Sequence, residues 1–315
     1  NLSAYDFGYI GSAELIDRTN HALQSMLKLE RYKGHFYNWY DTLSLLPLQP
    51  RYVSTVDSGN LVGHLLTLKQ GLLALHNQPI LSERIYHGIR TTISIIEDFS
   101  KNDDGEVIDK IKVLLSELEN GDTTSLSQIK KGLDDLISLT NEFSAHEDII
   151  ENDIYNWESR FRAQLERIRE DLVKYVPWVE LVPVPDRFQA LTLADRIPFL
   201  VSIQNMPNLF FPVIDHYEQE ECTADEKDWL RKMRQFLIAG SSLASERLTL
   251  LEDLAEQCEQ LSDVEYGFLY EKSTSLLHIG FNVDDQRKDD SFYDLLASEA
   301  RQGIFVAIAQ GKLPQ

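Results

Sequence analysis

The chain has 315 residues, 43% of them hydrophobic, with a formal net charge of −21 and a pI near 4.7. That length fits one large domain or two ordinary ones, with apolar residues enough for a real core. The acidic balance repels phosphate backbones and anionic headgroups, so nucleic acid and an anionic membrane surface are not expected partners.

Two cysteines, Cys222 and Cys258, lie too far apart for a zinc site and are too few for a disulfide framework, so both read as ordinary reduced thiols. The eight histidines form no His-x-x-x-His pair, and no metal site is expected. No cofactor is expected either: there is no Gly-rich phosphate loop, no GxxxxGK and no GxSxG. No apolar run reaches the ~20 residues of a membrane helix. No signal peptide is visible. The chain starts at Asn1 without Met and ends at Gln315 directly after a helical pattern, so it reads as a piece of something longer.

In chain order, helical periodicity dominates. Ser12 is a candidate cap for a helix through Leu15, Leu23 and Met26. An aromatic loop, "GHFYNWYDTLSLLPLQPRYVSTVDSGNL", follows from Gly34 to Leu61. A helix opens near Ser58 to Asn60 and carries Leu61, Leu65, Leu68, Leu72 and Leu75; another carries Ile85, Ile89, Ile93 and Ile96. Polar clusters "KNDDGE" and "ENGDTTS" bracket a small helix through Ile108, Ile111, Leu115 and Leu118. The strongest stripe runs Ile150, Ile154, Trp157, Phe161, Leu165, Ile168, Leu172 and Tyr175, and its aromatics read as core packing. Residues 177–222 hold most of the prolines and read as an irregular, aromatic-lined connection. Asp225 to Leu261 is helical, with "AGSS" a point where it can kink. A terminal helix is expected from Ser291 to Ala309.

The aromatic loop has a second version. "YGFLYEKSTSLLHIGFNVDDQRKDDSFYDLL" runs from Tyr266 to Leu296, and Gly34, Tyr37, Asp57 and Ser58 align with Gly267, Tyr270, Asp290 and Ser291, each pair 233 positions apart. In both, Asp-Ser would open the next helix as an N-cap. Such repetition points to a ring or stack of helix pairs rather than a four-helix bundle. The expected fold is all-α: helical hairpins of an incomplete (α/α) toroid or barrel with a long helical middle segment. The chain is read as one domain fragment. Residues 1–96 carry the first barrel-like helices and loop, and 97–176 form an acidic helical segment, either an insert or part of the ring. The connection spans 177–222, and 223–315 bring further helices and the second loop.

The loops carry a chemistry suited to sugars, whose apolar C–H faces pack on aromatic rings while their hydroxyls bond Asp, Asn and Ser. His35, Tyr37, Asn38, Trp39, Tyr40, Asp41, Asp57, Ser58 and Asn60 supply that palette in the first loop. Tyr270, Asn282, Asp284, Asp285, Arg287, Asp289, Asp290, Tyr293 and Glu299 supply it in the second. A glycosidase or transglycosylase needs two carboxylates across the scissile bond. The candidates are Asp41, Asp57, Asp285, Asp290 and Glu299, and no local signal singles one out. The plain alternative makes Asp57 a helix cap and Phe36, Trp39 and Tyr40 a small core beneath the loop.

Three stretches, "LERYKGHFYNWYDT", "PLQPRYVSTVDSGNLVGHLLTL" and "IGFNVDDQRKDDSFYDLLASEARQGIFVAIAQG", resemble the central, glycoamylase-like region of bacterial cyclic β-1,2-glucan synthases. They cover about a quarter of the chain, and Val62 stands where that family usually has Ala. In the family, a glycosyltransferase region builds linear β-1,2-glucan from UDP-glucose. A central (α/α) barrel closes the ring by transglycosylation, and a phosphorylase-like region trims it. The resemblance implies that this chain is the N-terminal part of the central barrel, a soluble segment on the cytoplasmic side of the bacterial inner membrane. Its partners would be β-1,2-glucan and the remaining domains of the parent polypeptide. It implies glucan-contacting or site-supporting roles for Trp39, Tyr40, Asp41, Asp57, Asn60, Asp289, Asp290 and Tyr293, with the main catalytic carboxylates further along the family sequence. The alternative is a non-catalytic helical module linking the glycosyltransferase and phosphorylase-like regions.

Overall fold

The structure is a computed structural model that describes residues 1–99, 104–120, 125–143, 153–181, 184–294 and 299–315. The described residues are mostly helical, with a few short strands. They divide into two compact units, one made of residues 1–16 and 74–250, the other of 17–73 and 251–315.

Among the described residues the first unit is built mainly of helices. After α1 (Leu2–Asp6) and the start of α2 (Ser12–Met26) come α4 (Arg84–Phe99), α5 (Gly105–Asn120), α6 (Leu126–Leu139) and α7 (Asp153–Tyr175); α3 (Thr55–Ala74) belongs to the second unit except for its last residue. α4 touches α5, α5 touches α6, α6 touches α7, and α7 closes back on α4. That closed cycle is a four-helix bundle, the arrangement the sequence reading set aside. Its core is the set of stripes legible in the sequence: Ile85, Ile89, Ile93 and Ile96 with Ile111, Leu115, Phe161, Leu165 and Leu172, all buried. The sequence reading stops short of α6, although Leu126, Ile129, Leu133 and Leu136 are spaced for one helical face and are buried. Ser125 caps α6 by accepting the Gln128 N–H. Ile150, at the head of the longest stripe, lies outside the described residues.

Residues 177–181 and 184–199 are irregular, with 3₁₀ turns at Pro177–Leu181 and Asp186–Asp195. The expectation of a connection ends there. α8 (Leu200–Glu218) is a 19-residue helix with Pro207 and Pro212 inside it. Each proline deletes one helical hydrogen bond. Burial of Leu200, Ile203, Met206, Phe210 and Ile214 along one face offsets that loss. α9 (Ala224–Leu261) runs for 38 residues straight through the "AGSS" stretch. Gly240 there serves close packing: a Cβ on it would come within 2.8 Å of the ring of Trp178 and the carbonyl of Tyr175. Trp178 is fully buried and donates its indole N–H to the Ala194 carbonyl at 2.7 Å.

Among the described residues the strands all lie in the second unit, so the two loops are more ordered than an all-α reading expects. β1 (Arg31–Tyr32) and β2 (His35–Phe36) form a hairpin, as do β4 (Tyr270–Glu271) and β5 (Leu276–Leu277). The first hairpin turns on Lys33 (φ 52) and Gly34 (φ 87), the two left-handed positions of a type I′ turn. β3 (Tyr52–Ser54), β6 (Gly280–Asn282) and β7 (Arg287–Lys288) make a three-stranded antiparallel sheet in which Val53 pairs with Phe281. The two loops are therefore partners in one sheet. Both follow the order helix, hairpin, strand, helix, but the constant offset of 233 is not the register of their elements. α3 opens at Thr55, whereas α10 (Ala300–Ala309) opens well after Ser291. Among the described residues Asp290 and Ser291 open no helix: the Ser291 carbonyl accepts the Ile279 N–H, and Phe292 bridges to His278. Leu295 and Leu296, expected in that helix, lie outside the described residues.

Beneath the sheet is a compact core of Tyr37, Val53, Val62, Tyr266, Leu277, Phe281, Ala307 and others. α3 and α10 cross on glycine. A Cβ on Gly59 would lie 2.7 Å from the Cα of Gly303, and a Cβ on Gly303 would lie 2.8 Å from the Cα of Gly59.

Candidate functional site: a tyrosine–carboxylate cluster

The start of α3 decides what Asp57 can do. Because the helix opens at Thr55, Asp57 and Ser58 sit within its first turn, and Ser54 is the cap: its Oγ accepts the Asp57 N–H at 3.3 Å. In a capping box the third helical residue would reach back to the N–H of the cap. Asn38 has taken over that task. Its Oδ1 accepts the Ser54 N–H at 3.1 Å, and its Nδ2 reaches Asp57 Oδ2 at 3.5 Å. The Asp57 carboxylate is thus exposed and released from capping, while Ser58 is buried.

β3 and β6 bring the second loop to this point. Tyr52 donates its hydroxyl to Asp289 Oδ2. Asp289 is itself pinned by its backbone, its N–H on the Gly280 carbonyl at 3.1 Å and its carbonyl accepting from His278 Nδ1 at 2.6 Å. That contact requires the proton of His278 to be on Nδ1. Tyr293 lies beside Ser54, with the carboxylates of Asp57, Asp289 and Glu299 around it. Burial raises the Tyr293 phenol above its ordinary range, Asp57 adds to the rise, and the Ser54 hydrogen bond opposes it. Tyr52 is pushed up further, first by burial and then by its bond to Asp289. Both phenols therefore stay protonated and act as donors among acceptors. With the Tyr52 hydroxyl spent on Asp289, the Tyr293 phenol and three carboxylates, gathered from both loops and the start of α10, can bind a ligand rich in hydroxyl groups.

The structure brings Asp57, Asp289 and Tyr293 together with Glu299. Tyr40 and Asp41 are committed elsewhere. The Tyr40 hydroxyl donates to the Glu30 carbonyl at 2.7 Å and accepts the Tyr37 N–H at 2.9 Å. Asp41 Oδ1 accepts from the Leu43 N–H, the Ser44 N–H and the Ser44 hydroxyl at 3.1, 2.7 and 2.8 Å. Those bonds hold the Asp41 carboxyl below its usual range, the Ser44 backbone contributing most. Both residues brace the loop whose side chains Trp39 and Leu43 are 52% and 94% exposed. Asp284 is gripped by Arg51 and Asp285 closes a turn with Asn282, so neither is free chemistry. Asp290 is exposed. Asn60 lies one turn along α3 from Asp57, on a cleft shared with α10. Sequence reasoning missed Tyr52 and Ser54. The signal was the alternation in "YVS", which reads as a strand sending Tyr52 and Ser54 to one face.

Among the described residues no group of three or more His, Cys, Asp or Glu is arranged to hold a metal, and no helix is long and apolar enough to cross a membrane. Both cysteines are free, and burial pushes the Cys258 thiol up to about 11.

No family model matches the chain. Over 99% of its length it is 27% identical to the cyclic β-(1,2)-glucan synthase NdvB of Rhizobium meliloti (strain 1021), across 316 residues. The match spans 9% of that protein's length. Along nearly all its length, the chain is similar to one segment of a cyclic β-(1,2)-glucan synthase.

Proposed function

We propose that the second unit is a glucan-contacting part of a cyclic β-1,2-glucan synthase, contributing to ring closure by transglycosylation and inactive on its own. The observation that carries this reading is the convergence of Tyr52, Asp57, Asp289, Tyr293 and Glu299 from distant stretches of chain into one partly exposed cluster of donors and acceptors. Asp57, Asp289 and Tyr293 bond glucan hydroxyls, Trp39 offers its exposed ring to a sugar face, and Tyr40 and Asp41 support the loop that carries it. Asn60 and Asp290 flank the cluster. The parent enzyme would be membrane-bound, with this segment on the cytoplasmic side.

The test is titration of the chain with linear β-1,2-glucan, followed by Trp fluorescence and by calorimetry. Saturable binding that weakens in Asp289→Ala and Trp39→Ala supports the reading; silence at millimolar sugar ends it. No rings form when the chain alone is incubated with linear glucan, and their appearance would overturn the statement that it is inactive alone.

One feature favours a second reading, a non-catalytic module that holds neighbouring regions of a parent polypeptide. Trp39, Leu43, Leu46 and Leu48 are all strongly exposed on one braced loop, a patch suited to protein contact. Under that reading glucan does not bind, and Trp39→Ala leaves titrations unchanged.

A further inference from the structure

The polar side chains of the aromatic loops are mostly consumed by the loops themselves. Those on the facing sides of α3 and α10 are not. Where these helices leave their glycine crossing they frame a cleft of about 680 Å³, lined by Asn60, His64, Glu299, Arg301, Gln302 and Phe305. The cleft is open to solvent along most of its length. Among the described residues, none of the five polar side chains has a hydrogen-bond or ion-pair partner. Phe305 is 72% exposed on the last turns of α10.

The composition of the cleft selects its ligand. One acidic and one basic group leave it close to neutral, which does not suit a phosphate. Two amides and an imidazole both donate and accept, which suits hydroxyls. A bare phenyl ring offers an apolar platform beside them. Glu299 belongs to both the cleft and the surroundings of Tyr293, so the cleft adjoins the cluster.

We propose that the α3–α10 cleft is a separate sugar subsite, seating a glucosyl residue of a longer chain with its C–H face on Phe305 and its hydroxyls on Asn60, His64, Gln302 and Glu299. This rests on the glucan reading above and adds to it a chain-length dependence.

The experiment measures binding of short and long linear β-1,2-glucan oligomers to the whole chain by calorimetry, in the wild type and in Phe305→Ala, Gln302→Ala and Gly63→Ala. The last variant is chosen because a Cβ on Gly63 would lie 2.7 Å from Gln302 Nε2, the mobile end of a side chain that must then move. Longer oligomers should bind the wild type more tightly than the disaccharide. Each variant should lose roughly tenfold in affinity for long oligomers, and little for the disaccharide. An unchanged urea midpoint in Phe305→Ala separates this loss from unfolding; if that midpoint falls, Gln302→Ala carries the test. If no oligomer binds the wild type, the glucan reading fails and the subsite with it. If all oligomers bind and the variants match the wild type, or lose affinity equally at every length, the reading survives and the subsite is overturned.

Discussion

Tyr52 and Asp289 add a phenol-to-carboxylate hydrogen bond to the strand pairing that joins the two loops, and Gly280 makes room for it. A Cβ on Gly280 would lie 2.2 Å from the Tyr52 hydroxyl. Tyr52 lies on β3 and Asp289 directly follows β7, where backbone bonds to Gly280 and His278 fix it, so the position of the Asp289 carboxylate is set at the edge of the sheet.

Tyr52→Phe should therefore act on both stability and ligand binding. Loss of a partly buried hydrogen bond to a charged acceptor costs about 1–2 kcal/mol. Urea unfolding should show a lower midpoint with an unchanged slope. Glucan titration should show weaker binding than the stability loss alone explains. A midpoint equal to wild type would mean that the bond contributes nothing.

His35 predicts a specific acid sensitivity. It is 1% exposed, its Nε2 donates to the Glu265 carbonyl at 2.7 Å, and its Nδ1 has no partner. Burial lowers its pKa from 6.5 to about 4. The folded state resists the second proton, so the unfolded state binds more protons between these values and stability rises with pH across that window. Stability is complete above about 6.5 and is lost as the pH falls towards 4, by on the order of 3 kcal/mol. Urea midpoints compared at several pH values in wild type and His35→Phe check this: the variant should lose this part of the slope.

The Gly59–Gly303 crossing tolerates no added methyl, because each virtual Cβ meets backbone rather than a side-chain end. Gly59→Ala and Gly303→Ala should each cost about 1–3 kcal/mol or more by overpacking. Gly267→Ala, where a Cβ meets nothing within 4 Å, is the control. Thermal melts that rank Gly267→Ala below either helix variant would contradict this crossing.

Asp41→Ala should loosen the 41–46 turn without unfolding the unit, since its three accepted bonds are all local. Limited proteolysis should speed up between Trp39 and Leu48 while the urea midpoint stays in place. Equal cleavage rates would show that the turn holds without its aspartate.

The helical stripes were legible because burial of one helix face imposes a period that any single stretch of sequence displays. The isoleucines of α4 and the apolar run of α7 needed no partner to be read. The sugar palette was legible as residue types, and so was the similarity of the loops to a glucan synthase region. Four things were decided only in three dimensions. The stripes of α4 to α7 close a four-helix bundle. Pro207 and Pro212 sit inside a helix because packing outweighs two lost hydrogen bonds. Asn38, distant in sequence from the start of α3, displaces Asp57 from its capping duty. Strand pairing sets Tyr52 on Asp289 while Asp41 folds back on its own loop. Periodicity is a property of neighbours along the chain, whereas the freedom of a carboxylate depends on which distant groups have already satisfied it.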